Sequence, residues 1–346
     1  ATGASKTVYD GHDLDPTIEG PKFYKRGDYY YIFAPAGGVA TGWQTVLRSK
    51  NIFGPYERRV VMHQGKTAIN GPHQGAWVNT PEKEDWFFHF QDVGPVGRIV
   101  HLQPMVWKNG WPVIGEDKDG DNIGEPVLTY RKPKIPISAL SNPQESDEFN
   151  SNSLGLQWQW HANPMDWWHY SNADKGVLSL FSVPVPTGYG NLWDVPNLLL
   201  QKFPAPDFQV TAKVTFFPNN AIKGERTGLL LMGLDYALLS FENSGDGLVL
   251  KQVQCQKADK GTAEETNEAV LPSSNTLYLR AQVTDGSKCA FLYSLDGVKF
   301  TAIGKSFKAR EGKWIGAKLG VFCSRPQPLN DGGRADFDWF RIEKIK

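Results

Sequence analysis

Lys25-Arg26-Gly27-Asp28-Tyr29-Tyr30-Tyr31-Ile32-Phe33 has a counterpart further along the chain, Lys83-Glu84-Asp85-Trp86-Phe87-Phe88-His89-Phe90. Aligning Asp28 with Asp85 sets the two copies 57 residues apart. Each copy is a polar turn followed by aromatic and β-branched residues, which suit a pleated, half-buried surface. A period of this length, with several short strands per unit, predicts the blades of a β-propeller. Propellers close with four to eight blades, and the first 133 residues accommodate just over two. The closing blades, on the order of 150 residues, are therefore expected on an N-terminal fragment or a separate chain.

Strand and turn signals continue outward from this repeat. Trp107-Lys108-Asn109-Gly110-Trp111 places Asn-Gly between apolar stretches, a hairpin signal, and Ser294-Leu295-Asp296-Gly297-Val298 does the same with Asp-Gly. Repeated proline from Lys132 to Gln144 would interrupt any ladder and reads as a linker. Beyond it, residues 208–217, 228–232, 236–241, 277–283 and 288–293 read as strands, and 335–342 alternates cleanly. Regular short strands over some 200 residues indicate a two-sheet sandwich. The expected division is a partial propeller over 1–136, a linker over 137–146 and a β-sandwich over 147–346. The fold class is all-β.

Composition narrows the function classes. Lys+Arg and Asp+Glu are equal at 37 each, so no concentrated basic face is expected for nucleic acid or anionic membrane. The 346 residues contain no 18-residue apolar run, so no membrane-spanning helix is expected. The chain starts with Ala and no signal-peptide core follows, as in a processed or excised chain. Cys255, Cys289 and Cys323 are too few and too scattered for a disulfide framework or zinc site, and read as buried thiols. The 12 Trp serve either a large β-sheet core or a surface where flat rings stack on sugars.

Glu19, in Pro16-Thr17-Ile18-Glu19-Gly20-Pro21, precedes a strand. Partial desolvation at a strand mouth would raise its pKa and make a general acid; the plainer reading is an exposed turn carboxylate. Asp10, Asp13 and Asp15 just before it look like a solvated surface connection, with spacing that fits no calcium loop.

Ile18-Glu19-Gly20-Pro21 with Tyr24-Lys25 and Gly27-Asp28-Tyr29-Tyr30 resembles the general-acid region of glycoside hydrolase family 43. The resemblance continues through Ala34-Pro35-Ala36-Gly37-Gly38, Gly54-Pro55-Tyr56-Glu57, Gly71-Pro72-His73-Gln74-Gly75 and Gly97-Arg98-Ile99-Val100-His101. Residues Gly320-Val321-Phe322-Cys323-Ser324-Arg325-Pro326 and Ala335-Asp336-Phe337-Asp338-Trp339-Phe340 resemble the concanavalin A-like sandwich appended to that family's β-xylosidases. The resemblance implies a five-bladed propeller holding three carboxyl groups: a general-base Asp, a second Asp that orients and tunes the acid, and the acid itself. It implies hydrolysis with inversion, the acid and base standing ~6.5–9.5 Å apart across the sugar.

By position Glu19 matches the acid, while both Asp residues would lie upstream of residue 1, leaving the isolated chain inactive. His73 matches a histidine near the propeller axis that orients a carboxylate or holds a central cation, against the alternative of a satisfied core histidine. Arg98 matches an arginine of the sugar pocket, against a structural ion pair. Trp43 and Trp77 either wall that pocket or pack in the core. Trp314 resembles an aromatic sent toward the active-site rim. Asp338 with Asp147 or Glu148 is a candidate for structural calcium, or else plain edge charge. No organic cofactor is expected. The implied substrate is a xylo- or arabino-oligosaccharide derived from hemicellulose, met outside the cytoplasm, in the periplasm, or inside after import. The alternatives are a carbohydrate-binding protein without turnover and, more remotely, an adhesin.

Overall fold

The computed structural model describes residues 2–136, 138–326 and 328–345. The chain divides into two units, Ala1–Val93 with Arg98–Leu140, and Gly94–Gly97 with Ser141–Lys346. The sequence signals did not foreshadow the assignment of Gly94–Gly97 to the second unit, where Pro95 O accepts from Ala317 N at 2.7 Å.

The first unit holds two four-stranded antiparallel meanders. One is β1 (Lys22–Arg26), β2 (Tyr29–Ala36), β3 (Trp43–Ser49) and β4 (Glu57–Met62). The other is β5 (His73–Asn79), β6 (Asp85–Asp92), β7 (Arg98–Lys108) and β8 (Trp111–Ile114). These are propeller blades. The repeat maps onto the second strand of each, since Asp28 immediately precedes β2 and Asp85 opens β6.

Asn109 and Gly110 both take positive φ, 51° and 74°, as a two-residue turn joining β7 to β8 requires. Tyr31, Phe33, Val46, Met62, Phe87, Met105, Trp111 and Ile114 form the buried core of this unit. Arg48 seals its edge, lying 4.6 Å from the Tyr29 ring centroid and 4.3 Å from that of Trp111. The guanidinium plane covers apolar surface while Nη2 pairs with Glu57 at 2.7 Å.

The second unit is a sandwich of two eight-stranded sheets, each with one short strand off the main order, Phe307–Lys308 beside Lys288–Ser294 and Val183–Pro184 beside Lys318–Arg325. One runs in spatial order His169–Asn172, Val177–Phe181, Arg334–Glu343, Phe208–Phe217, Thr276–Thr284, Lys288–Ser294 and Thr301–Ala302. The other runs Glu265–Val270, Leu248–Cys255, Tyr236–Asn243, Arg226–Met232, Lys318–Arg325, Leu199–Lys202 and Gln159–Trp160. Leu178, Val214, Leu239, Leu279, Val321, Phe337 and Phe340 are all fully buried in the core. Each such side chain contributes about 1.5–3 kcal/mol relative to exposure. The Asp296-Gly297 turn is longer than a two-residue hairpin, since pairing stops at Tyr293 and Thr301, and the Asp296 carboxylate accepts from the amides of Val298 and Lys299 at 2.8 and 2.9 Å. All three cysteines are buried free thiols.

Candidate active site

Glu19 stands just before β1, its backbone N–H donating to Pro35 O at 3.1 Å. Its Oε1 lies 2.6 Å from His73 Nε2 and 3.0 Å from Gln74 Nε2. An ionised carboxylate only accepts, so His73 carries its proton on Nε2 in this pairing. The His73 ring is 1% exposed, whereas the Glu19 side chain is 52% exposed. One carboxyl edge is thus anchored to protein while the group remains open to solvent.

The arginine joins the same cluster through an aromatic bridge. Phe90, on β6, meets His73 edge-on at 5.8 Å and carries the Arg98 guanidinium 4.5 Å from its ring centroid. Among the described residues no carboxylate lies within ion-pair distance of Arg98, although its charge acts on Glu19. Cross-strand pairing explains the assembly: His73 opposes Phe90 across β5 and β6, and Arg98 opens the adjoining β7. Three residues 54 and 25 positions apart along the chain, Glu19 to His73 and His73 to Arg98, are thereby gathered into one cluster.

The electrostatics of Glu19 differ from the sequence expectation. The hydrogen bonds from His73 and Gln74, with the Arg98 charge nearby, hold its carboxyl below the ordinary glutamate value. Exposure leaves desolvation too weak to raise it, and no carboxylate among the described residues stands against it. With this chain's own groups Glu19 is ionised at neutral pH.

Asp15 departs furthest from its expected place on a solvated surface. It is completely buried and accepts from Arg58 Nε at 2.7 Å, Arg58 Nη2 at 2.6 Å, Thr45 Oγ1 at 2.7 Å and Trp43 Nε1 at 3.0 Å. Tyr9 donates a further hydrogen bond. Burial opposes the charge, but these donors outweigh it and hold the carboxyl far below its usual range. The same burial, reinforced by the Asp15 contact, pushes the Tyr9 hydroxyl up to about 12. Asp15 therefore anchors the loop leading to Glu19, and Gly11 O and Ile18 N bond its backbone. Asp10 and Asp13 remain exposed, Asp10 pairing with His12.

The expected aromatic walls are otherwise engaged. Trp43 Nε1 is committed to Asp15 and Thr45. Trp77 donates to Asp85 Oδ1 at 2.7 Å and packs among Tyr24, Phe33 and Trp107. Trp77 packs against the core of this unit, while Trp43 is half-buried. Trp314, in the second unit, is 76% exposed with φ of 62°.

The proposed calcium ligands do not converge either. Asp147 accepts from Phe149 N, Gln157 Nε2 and Trp158 Nε1; Glu148 is bidentate with Arg341 at 2.7 and 2.8 Å; Asp338 faces Lys213 at 3.3 Å. Oxygens already turned to N–H donors are poor material for a cation cage. At His73 this chain offers one imidazole, with Nε2 on Glu19 and a buried, unpartnered Nδ1. Among the described residues the carboxylates that cluster closely are Asp117, Asp119 and Asp121, on a surface turn.

Blades, sandwich and a carboxyl-centred cluster define a modular all-β protein of the propeller-and-sandwich class. The sequence profile of the glycosyl hydrolases family 43 matches residues 3–112, and that of the β-xylosidase C-terminal concanavalin A-like domain matches residues 146–343. The chain belongs to glycoside hydrolase family 43. It is 40% identical over 322 residues to a putative beta-xylosidase of Xylanibacter ruminicola, covering 92% of this chain and 57% of that protein. It is 27% identical over 345 residues to a non-reducing end alpha-L-arabinofuranosidase of Bacteroides ovatus, covering 93% of this chain and 62% of that protein. A family 43 protein of Bacillus licheniformis shares the fold with a TM-score of 0.85 at 24% identity, over 99% of this chain and 68% of that one. The chain thus spans about 60% of the length of these curated relatives.

Proposed function

We propose that this chain supplies the general acid, Glu19, of an inverting glycosidase that releases terminal xylose or arabinofuranose from hemicellulose-derived oligosaccharides. The observation that carries the reading is Glu19 itself, a half-exposed carboxyl pinned at Oε1 by buried His73, in one cluster with Arg98. A carboxyl so placed can deliver a proton to a leaving oxygen, and a fixed cation nearby suits sugar hydroxyls.

The depressed pKa of Glu19 sets a condition on this chemistry. An acid catalyst must hold its proton at working pH, so another carboxylate has to stand close enough to raise it. In our reading that carboxylate and the general base come from further propeller blades, and this chain alone does not turn over. The names of the relatives, xylosidases and an arabinofuranosidase, support the substrate class. A polymeric plant substrate places the enzyme outside the cytoplasm or beside an oligosaccharide importer.

A carbohydrate-binding protein without turnover is the second reading, favoured by the absence of a carboxylate partner for Glu19 among the described residues. Intact-mass analysis and N-terminal sequencing of active material, with 4-nitrophenyl β-xyloside and α-arabinofuranoside assays, separate the two. A co-purifying N-terminal polypeptide, with turnover abolished by Glu19→Gln, supports the hydrolase. Sugar binding without turnover by this chain in its natural assembly overturns it.

A further inference from the structure

Gln74, the second donor to Glu19, is held in a specific place. It sits in a β-bulge of β5, where the register against β6 shifts between His73 and Ala76. Its φ is 51°, a left-handed conformation that a residue with a Cβ adopts at a cost. That conformation turns its amide toward Glu19, and Nε2 donates to Oε1 at 3.0 Å.

The opposite end of the amide is fixed by Lys22. Lys22 Nζ donates to Gln74 Oε1 at 3.3 Å and to Gly20 O at 2.8 Å. An ammonium has no acceptor, so the carbonyl end of Gln74 must face Lys22 and its NH2 must face Glu19. Gln74 is thereby a donor to Glu19 in either protonation state of the acid. Space around the amide is reserved as well. A Cβ on Gly20 would come within 2.1 Å of Gln74 Oε1, and Gly20 also holds φ of 51°. Glycine after the glutamate is favoured by its own backbone, and a Cβ there would push the Gln74 amide aside.

We propose that Gln74, oriented by Lys22, is a positioning residue that with His73 pins Oε1 of Glu19 and so confines the transferable proton to Oε2. With Oε1 occupied by two donors, a proton there would have to displace one of them. Oε2 is the atom left to face the leaving oxygen. The catalytic meaning of this inference rests on Glu19 being the general acid; the anchoring itself does not.

The test has two readouts. The first follows the side-chain carboxyl carbon of Glu19 by NMR through a pH titration of 13C-glutamate-labelled chain, assigned with Glu19→Gln. Removing a donor that favours the ionised form raises the midpoint, so Gln74→Leu should shift it up by about 0.5–1 pH unit. Lys22→Met should shift it the same way by less. Gln74→Gly is the folding control, because it relieves the positive φ and keeps or raises Tm while removing the same donor. The second readout compares kcat/KM for xylosides with poor and good leaving groups in the turnover-competent enzyme. Gln74→Leu should lose roughly tenfold or more on an alkyl or sugar leaving group and under threefold on 2,4-dinitrophenolate, which needs no proton. An unmoved Glu19 midpoint in Gln74→Leu and Gln74→Gly overturns the anchoring. A shifted midpoint, with leaving-group-dependent loss in Glu19→Gln but none in Gln74→Leu, overturns the catalytic role of Gln74 alone. Loss in Glu19→Gln that is equal for all leaving groups overturns Glu19 as the acid and the inference with it.

Discussion

Replacing Asp15 by Asn removes one charge at nearly constant shape from a fully buried site. The carboxylate has two bonds from Arg58 and others from Thr45, Trp43 and Tyr9. Breaking a buried pair by removing one partner costs about 3–5 kcal/mol. The Arg58 side chain is 25% exposed and partly hydrates when abandoned, which favours the lower end. We expect Asp15→Asn to destabilise the first unit by about 3 kcal/mol at pH 7. With a urea slope near 2 kcal/mol/M, the midpoint falls by roughly 1.5 M.

The pH dependence follows from the depressed carboxyl. Its stabilisation is fully present above the unfolded aspartate value, near 3.9, and is lost as pH falls toward the folded value. The gap between wild type and variant should stay constant from pH 7 to pH 5 and narrow by about 1 kcal/mol at pH 3. Urea unfolding followed by tryptophan fluorescence at these three pH values measures it. A gap under about 1 kcal/mol at pH 7 would refute the buried ion pair, and so would a gap that does not narrow in acid.

Three further outcomes are expected. Cys255, Cys289 and Cys323 should not react with a thiol reagent until the sandwich unfolds, because burial pushes all three thiols up, Cys289 to about 12; labelling rate against denaturant tests this. Gly228→Ala should destabilise the sandwich by more than about 3 kcal/mol, since a Cβ there lies 1.9 Å from Leu239 O in a central strand pair; calorimetry reads the loss. Trp314→Gly should raise stability by about 0.5–1 kcal/mol, since it relieves a positive φ at a ring that buries little surface; a lowered Tm would show that the ring packs more than its exposure suggests.

The blades and sandwich strands were legible because their signals are local. Asn109-Gly110 announces its turn through residues that tolerate positive φ, and residues 208–217 alternate over a whole strand. Asp15 was illegible for the converse reason. Leu14 beside it is 63% exposed while Asp15 is completely buried, an inversion of the usual pattern. Its justification, Arg58, comes from β4, 43 residues away. The convergence of Glu19, His73 and Arg98 was available only through the family resemblance, since no local period links them. Gln74 lay in plain view within Gly-Pro-His-Gln-Gly, but the bulge that aims it is a property of strand register. Trp43 and Trp77 were open between two readings because sequence does not say where an indole N–H ends, and both end on aspartates.

The strand Arg334–Glu343 sits in the middle of its sheet, pairing Phe337 with Leu178 on one side and with Val214 on the other. Protein synthesis runs in one direction, so neither partner strand finds its neighbour until that last segment has left the ribosome. Until then this sheet exists as two separate parts, each with an unpaired edge. Products of premature termination upstream of residue 334 would present those edges permanently. Such fragments should go to chaperones and proteases rather than accumulate as smaller folded domains.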